Sequence, residues 1–499
     1  MANFDEVKHA KVGSAFKATG KLIRSPKEGQ PFELQVCSAE AHMIKLLGAA
    51  PADKYPLPQK KHTREFLRTQ AHLRCRTKLI SAVARVRNNL AYATHKFFQE
   101  RGFQYIHTPI ITASDCEGAG EMLTVTTNLP GPGKPVSSMK LLERAGQENE
   151  EEKGAEPKIS KAYAKKLAKK NAAKAKKDGK PVEGVAADAD AGATTEEAKA
   201  EAPAAEEEKK EEAPLIPLEE RKVDYRSDFF KKPAYLSVSG QVHVETYCCG
   251  MGDVYTFGPT FRAEKSDTSR HLAEFWMIEP ELAFAELFDV MDCAEDYVKY
   301  CLRYVMENNG DDIEYFNTMV DTGLKERLLN VTDKEFTRIT YTDAIALLEQ
   351  HLKEKKVKKF NEKPYWGIDM GSEHERYLAE KVFMGPVSVY DYPKDFKSFY
   401  MRQNDDGKTV QAFDMLVPGI GELIGGSARE ERLDKLDELM VAKGLVLEDY
   451  WWYRDLRTYG TQPHGGFGLG FERLVMMATG IENIRDVIPF PRWWNKADF

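Results

Sequence analysis

The sequence has no apolar run long enough to cross a bilayer, which excludes a helical membrane span. Its first residues, Met1-Ala2-Asn3-Phe4-Asp5-Glu6, carry acids and lack the basic start and apolar stretch of a secretory or transit peptide. Cysteine is sparse: seven residues, odd in number and scattered, with none in the CxxC spacing of a zinc or redox motif. Reduced thiols in a cytoplasmic compartment are therefore expected. Net charge is slight as well, at -7, so the total points to no nucleic acid, and any basic surface has to be local. What the chain does have is 42% hydrophobic, 30% charged and 10% aromatic residues, enough for a globular core. Its 499 residues suffice for a large catalytic domain with one or two smaller units.

Apolar residues alternate over residues 15–23 and again over 32–36, separated by Ser25-Pro26-Lys27-Glu28-Gly29, which predicts two strands and a turn. From Leu79 through Val83, Val86, Leu90, Ala93 and Phe97 they recur at three- and four-residue steps, a helix that Gly102 stops. Residues 103–111 read as a strand broken by Pro109, which cannot donate to a ladder. Between about residues 130 and 223 large apolar residues nearly vanish, with lysine dominant over 158–180 and alanine and glutamate over 196–212. No core can form there. Residues 234–286 carry the β-branched and aromatic content of antiparallel strands, and 287–306 and 341–352 look helical. Strand patterns return at 409–416 and 466–469, followed by a helix over 471–478. Strands grouped apart from helices predict an α+β fold.

Two stretches carry chemistry. The first is Thr256-Phe257-Gly258-Pro259-Thr260-Phe261-Arg262-Ala263-Glu264, continued by Thr268-Ser269-Arg270-His271-Leu272-Ala273-Glu274-Phe275-Trp276-Met277-Ile278-Glu279-Pro280-Glu281. It reads as strand, polar loop and strand. The two-residue period puts Arg262 with Glu264 on one face, and Phe275, Met277, Glu279 and Glu281 together on the return. Such a face suits a nucleotide, with arginine for phosphate, a ring for stacking and a carboxylate for an amine. A surface hairpin laced with salt bridges would use the same residues, and spacing alone leaves both readings open. The second stretch, Gly465-Gly466-Phe467-Gly468-Leu469-Gly470-Phe471-Glu472-Arg473, is a glycine-rich strand running into a helix. It lacks the lysine and hydroxyl residue of a P-loop. Arg473 there is either a phosphate clamp or a buried structural arginine.

Taken together, these stretches resemble the three signature motifs of the class II aminoacyl-tRNA synthetases, specifically the asparaginyl members of the aspartate, asparagine and lysine subgroup. The helix before Gly102 and the strand through Pro109 resemble motif 1, a dimer element; residues 261–281 resemble motif 2 and residues 466–473 motif 3. The resemblance implies a catalytic domain built on an antiparallel sheet flanked by helices, preceded by a partial OB-fold-like β domain. It divides the chain into that region at 1–70, the start of the catalytic domain at 71–133, a low-complexity insert at 134–223, and the rest of the catalytic domain at 224–499.

It also implies an ATP site of Arg262, Glu264, Arg270, His271, Leu272, Phe275, Glu422, Gly470 and Arg473, with Arg262 and Arg473 catalytic. Arg262 would hold the α-phosphate and the amino-acid carboxylate, Glu264 the adenine amine, Phe275 the adenine ring, and Arg473 the γ-phosphate with Arg270 and His271. Asp414 and Glu422 match the family's Mg²⁺ ligands. The implied amino-acid site is Ser114, Glu117, Gln241, Arg262, Glu279 and Arg429. Gln241 lies on what is expected to be a strand, where the aspartate enzyme carries glutamine and, three residues on, a lysine; here that position is Val244. Loss of the cation disfavours aspartate, Arg429 can donate to a side-chain carbonyl, and Glu279 would accept from an amide and repel a carboxylate.

The implied partners are L-asparagine, tRNA(Asn) and a second copy of the chain in a homodimer, with no membrane. The family's OB barrel has five strands, and the two strand patterns here resemble its later part, so the expectation is either a truncated or mis-assigned start or a reduced tRNA site supplemented by phosphate contacts from the 158–180 arm. Two other readings stand beside asparagine activation: a paralogue amidating aspartate through aspartyl-adenylate, and a non-catalytic RNA-binding protein.

Overall fold

Among the described residues Thr77 starts the longest helix, its hydroxyl accepting from the Ile80 N–H, and the chain leaves that helix through Gly102 at φ +87°. This helix, α1 (Lys78–Glu100), buries Ala82, Val83, Val86, Leu90, Ala93, Phe97 and Phe98 along one stripe, as the three- and four-residue spacing requires. The computed structural model describes residues 7–36, 43–115, 121–128 and 224–499. The lysine-, alanine- and glutamate-rich insert and Glu117 lie outside the described residues.

The chain divides into two units, Met1–Leu123 with Leu236–Phe499, and Thr124–Tyr235. In the second, Asp228 organises what is described: it accepts from Thr126 Oγ1 at 2.6 Å, Thr127 N at 2.8 Å and Phe229 N at 2.7 Å. Burial opposes its charge, but these donors hold its pKa down at about 2.

In the first unit, β1 (Ala15–Thr19) pairs antiparallel with β4 (Met43–Gly48), and β2 (Lys21–Arg24) with β3 (Phe32–Gln35). The expected strands at 15–23 and 32–36 are thus present, the first divided at Gly20, and β4 joins them. Among the described residues the main sheet has eight strands. In chain order they are β5 (Gln104–Tyr105), β6 (Val254–Phe261), β7 (Glu274–Ala283), β8 (Thr337–Thr340), β9 (Val387–Pro393), β10 (Thr409–Val417), β11 (Gly421–Ala428) and β12 (His464–Gly470). Across the sheet the order is β8-β9-β10-β11-β12-β7-β6-β5. Pairing is antiparallel through the centre, as the α+β reading expects, but both edge strands run parallel to their neighbours.

Three further helices matter to the site: α2 (Gln241–Met251), α3 (Leu287–Asn308) and α5 (Phe471–Thr479); α4 (Tyr341–Lys353) packs with β9 in a separate cluster. One core joins α1, α3 and α5 to the sheet through Phe97, Tyr297, Ile278, Phe413, Phe467 and Val475. Each large side chain buried in this way contributes about 1.5–3 kcal/mol. No helix among the described residues is long and apolar enough to cross a membrane.

Two expectations need correction. The strand expected over residues 103–111 with a break at Pro109 is shorter than that: only Gln104–Tyr105 joins the sheet, its pairing ends with the Ile106 N–H on Tyr255, and Ile111–Thr112 is a separate short strand beyond Pro109. The region 234–286 is not all strand, since α2 occupies 241–251 and puts Gln241 at its first turn. Its Val242, Val244, Glu245 and Cys248 face inward at helical spacing, and this packing overrides their β-branched character.

Candidate functional site

The β6–β7 hairpin and the β12–α5 junction, side by side through the β7–β12 pairing, line one cleft. Strand β6 ends at Phe261, so Arg262 and Glu264 lie just beyond it, in the connecting segment, and not on a shared strand face. Arg262 still donates its backbone N–H to Ala273 at 3.0 Å, extending the ladder by one bond. On the return strand the two-residue period holds, aligning Phe275, Met277, Glu279 and Glu281. The Arg262 guanidinium carbon lies 5.4 Å from the Phe275 ring centroid, within cation–π reach.

All nine residues of the expected ATP set line this one cleft. His271 Nδ1 is within hydrogen-bond distance of Ser266 Oγ at 2.8 Å and Thr268 Oγ1 at 2.7 Å, while Nε2 lies 3.6 Å from Glu264. Arg270 donates to Ser372 Oγ at 2.8 Å. Arg473, in the first turn of α5, donates to the Glu422 carbonyl at 2.9 Å and to its carboxylate at 3.1 Å. Glu472, beside it, also lines the cleft but is buried and engaged. It accepts from Trp276 N at 3.0 Å and pairs with Arg87 of α1 at 2.7 Å, tying the junction to two neighbours.

The glycine-rich run of β12 is explained by backbone approach. A Cβ at Gly466 would lie 2.2 Å from the Pro280 carbonyl oxygen and 2.7 Å from the Glu281 carboxylate. Only glycine lets β12 pack so closely on β7.

Asp414 of β10 and Glu422 of β11 converge over Gly425, from whose would-be Cβ their oxygens lie 3.5 and 3.3 Å away. Lys397 Nζ reaches both Asp414 oxygens, at 3.0 and 2.8 Å. Burial and the nearby Glu422 push the Asp414 pKa up despite Lys397. Burial also opposes ionisation of Glu422, yet Arg473 and Lys397 hold its pKa down. A third carboxylate, Glu375, accepts the Glu422 backbone N–H at 3.0 Å. Its burial and the charge of Glu422 push its pKa up to about 7. Among the described residues no group of three His, Cys, Asp or Glu side chains is arranged to hold a metal, so a bound ion would complete its shell with phosphates and water.

Further along the same face of β7 the chemistry changes. Arg429 is buried against Glu281, its Nε at 3.0 Å and Nη2 at 2.5 Å from one carboxylate oxygen. Gln241 donates to that oxygen at 2.5 Å and to the Pro280 carbonyl at 3.2 Å. Glu279, also buried, accepts from the Gly240 N–H at 2.9 Å and from the Ser239 hydroxyl. Because Gln241 begins a helix, Val244 lies one turn on and packs with Cys248 and Val254. Tyr400 places its ring 5.0 Å from Arg429 and shares a cluster with Tyr450, whose hydroxyl donates to the Asp115 carbonyl at 2.6 Å. That bond brings the loop bearing Ser114 to this end of the site. The two ends are continuous: Gly468 lines the cleft, and its would-be Cβ is 3.9 Å from Gln241 Oε1.

Residues 63–143 and 200–494 match the family described as tRNA synthetases class II (D, K and N). An "Asparagine--tRNA ligase" of Treponema denticola is 47% identical over 493 residues, covering 99% of this chain and 86% of that protein. "Asparagine--tRNA ligase, cytoplasmic 3" of Arabidopsis thaliana is 50% identical over 487 residues, covering 96% and 81%. The chain belongs to the asparagine--tRNA ligases of the class II synthetases. Among solved structures, asparaginyl-tRNA synthetase of Pyrococcus horikoshii complexed with asparaginyl-adenylate superposes with a TM-score of 0.69 at 27% identity, covering 100% of this chain and 87% of that one.

Sequence reasoning about this synthetase missed three residues at the site. Glu281 was visible on the β7 face through its two-residue step from Glu279, but its grip on Arg429 was not. Lys397 and Glu375 carry no local signal; they reach Asp414 and Glu422 from segments remote in sequence.

Proposed function

We propose that the chain activates L-asparagine with ATP to asparaginyl-adenylate and pyrophosphate, then transfers asparagine to tRNA(Asn). The observation that carries this is one strand face, on which Phe275 and Met277 front a cleft of arginines and Glu279 and Glu281 front a buried polar pocket. Such a face spans an adenylate, with base and phosphates at one end and the amino acid at the other.

In the first step an asparagine carboxylate oxygen attacks the α-phosphorus, the bond from that phosphorus to the bridging oxygen breaks, and pyrophosphate leaves. The nucleophile is already ionised, so catalysis consists of alignment and charge neutralisation. Arg262 holds the α-phosphate and the attacking carboxylate, and Phe275 and Glu264 hold the base. Arg473, Arg270 and His271 hold the β- and γ-phosphates, with Leu272 and Gly470 completing the walls. Asp414 and Glu422 supply the paired hard oxygen donors that suit Mg²⁺, which when bound neutralises phosphate charge. In the second step a terminal ribose hydroxyl of the tRNA attacks the adenylate carbonyl, loses its proton, and AMP leaves.

At the amino-acid end Arg429 donates to the side-chain carbonyl, and Glu279 with Gln241 and Ser114 surrounds the ammonium and amide; Glu117 belongs to the same proposal. The Arg429–Glu281 pair is already charge-balanced, so a neutral amide fits where a second carboxylate would be repelled. Residues 1–70 form the partial OB-fold-like anticodon region, 71–133 and 224–499 the catalytic domain, and 134–223 an insert. The active form is a cytoplasmic homodimer with motif 1 at its interface.

ATP–pyrophosphate exchange with asparagine and with aspartate, each with and without tRNA, tests the reading. Exchange with asparagine alone, independent of tRNA, is expected. A preference for aspartate would transfer the chain to the amidating paralogues, and no exchange with either would end the catalytic reading.

A further inference from the structure

Beyond Arg270 and Arg473 the nucleotide cleft adjoins a second cavity of about 470 Å³, and both arginines line the two. Arg327 and Arg376 supply its other cationic walls. Arg327, from the helix Leu324–Asp333, lies against the β10–β11 turn, with Nε 3.2 Å from where a Cβ of Gly419 would stand. Arg376, from the helix Ser372–Tyr377, meets the same turn at Gly421, where Arg270 Nη1 is 3.5 Å from the would-be Cβ. Both glycines have φ of +85°, so the turn that seats these guanidiniums is one that other residues rarely adopt.

Four guanidiniums thus ring a cavity whose lining includes only two carboxylates, Asp321 and Glu482. Arg327 is paired with Asp321, and Arg376 Nε donates to Glu380 at 2.9 Å, each arginine having further N–H donors in its fork. Burial lowers the pKa of Arg270, and the like charges of Arg473 and Arg376 add to this against the opposing pull of Glu375 and Glu380, so these cations are close enough to repel. An anion among them relieves that repulsion. The lining includes no aromatic ring to stack a base, which selects inorganic phosphate over a nucleotide.

We infer that this cavity is a pyrophosphate site, in which Arg270, Arg327, Arg376 and Arg473 receive the leaving group of adenylate formation. The inference rests on the adenylate-forming reading above. Two linked phosphoryl groups offer the oxygens that planar guanidinium forks recognise in pairs. Because Arg270 and Arg473 belong to both cavities, pyrophosphate can pass from the nucleotide cleft without losing its cationic partners. The site is therefore a waypoint for product release and, in reverse, the entry for pyrophosphorolysis.

Calorimetric titration of the full chain with inorganic pyrophosphate, and separately with a non-hydrolysable ATP analogue, tests this. Arg376→Gln alone and the double variant Arg327→Gln, Arg376→Gln are compared with the parent. Arg376 is half-exposed, so its single variant stays informative even if loss of the Arg327–Asp321 pair impairs folding. Pyrophosphate affinity is expected to fall at least about tenfold, the loss of one charge-assisted hydrogen bond, with the analogue changing by less than about twofold. Unchanged pyrophosphate affinity, or equal losses for both ligands, would overturn the assignment. Asparagine-dependent exchange by the parent is scored separately; its absence would strike the proposed function, while the titration still decides whether the cavity binds pyrophosphate.

Discussion

Arg429 and Glu281 form a two-point ion pair sealed from solvent, and Gln241 donates to the carboxylate oxygen that takes both guanidinium bonds. Burial opposes the charge on Arg429, but Glu281 raises its pKa, so the arginine stays charged. Removing one partner of such a pair strands the other. Arg429→Ala is therefore expected to lower stability by about 3–5 kcal/mol as well as to weaken asparagine binding. The double variant Glu281→Gln, Arg429→Ala should recover part of the stability and none of the asparagine affinity. Urea unfolding and the KM for asparagine check both halves; a single variant as stable as the parent would show that the pair is not buried as described.

Arg262 tests the nucleotide end. Its backbone N–H closes the last rung of the β6–β7 ladder and survives substitution, whereas its guanidinium faces the cleft. Arg262→Ala should reduce ATP–pyrophosphate exchange by about 10²–10³-fold or more, the cost of one preorganised donor at a developing charge. Its circular dichroism should match the parent's. Near-normal exchange would remove Arg262 from the site.

His464 lies within a buried network with Glu245 and Arg457. Burial opposes its protonation, but Cys249 at 3.9 Å and Glu245 at 2.8 Å raise its pKa to about 10 from the usual 6.5. Its other nitrogen, Nδ1, faces the Gln462 carbonyl at 2.7 Å, so both ring nitrogens serve best as donors. The stability this provides is full below the unfolded pKa of 6.5 and is lost as pH rises through about 10. Urea midpoints taken between neutral pH and that point should fall more for the parent than for His464→Gln. Parallel curves would mean the imidazole is neutral.

Two glycines of one motif should separate packing from ligand binding. Gly466→Ala drives a methyl group into the Pro280 carbonyl and the Glu281 carboxylate, and a loss of about 1–3 kcal/mol is expected. A methyl group at Gly470 would meet Arg473 no closer than 3.8 Å, so Gly470→Ala should fold like the parent and alter the KM for ATP. Thermal unfolding beside ATP kinetics distinguishes them; equal instability in both variants would refute the packing account.

The long elements were legible because each satisfies a local period. Val83, Val86, Leu90 and Phe97 repeat at helical steps whatever they pack against, and Phe275, Met277, Glu279 and Glu281 alternate wherever the strand lies. That eight of the nine residues expected at the ATP site share one cleft follows from their origin in two contiguous motifs, where order along the chain already approximates order in space; Glu422 reaches it from β11. Helix α2 was not legible: Val242 and Val244 favour a strand, and the burial that overrides this comes from distant partners, Phe399 and Tyr453 around Val242 and Ile106 beside Val244.

The sequence by itself determined the class of fold, the family and the set of polar residues available for chemistry, since these follow from periodicity and motif. Tertiary structure alone decided which of those residues pair. Glu281 with Arg429, Lys397 with Asp414, Glu375 with Glu422, and Glu245 with Arg457 and His464 each join segments distant in the chain. It also decided that Arg270, Arg327, Arg376 and Arg473 share one cavity. A charge reads the same in sequence whether solvated or buried; its strength and its partner are set only when folding removes the water around it.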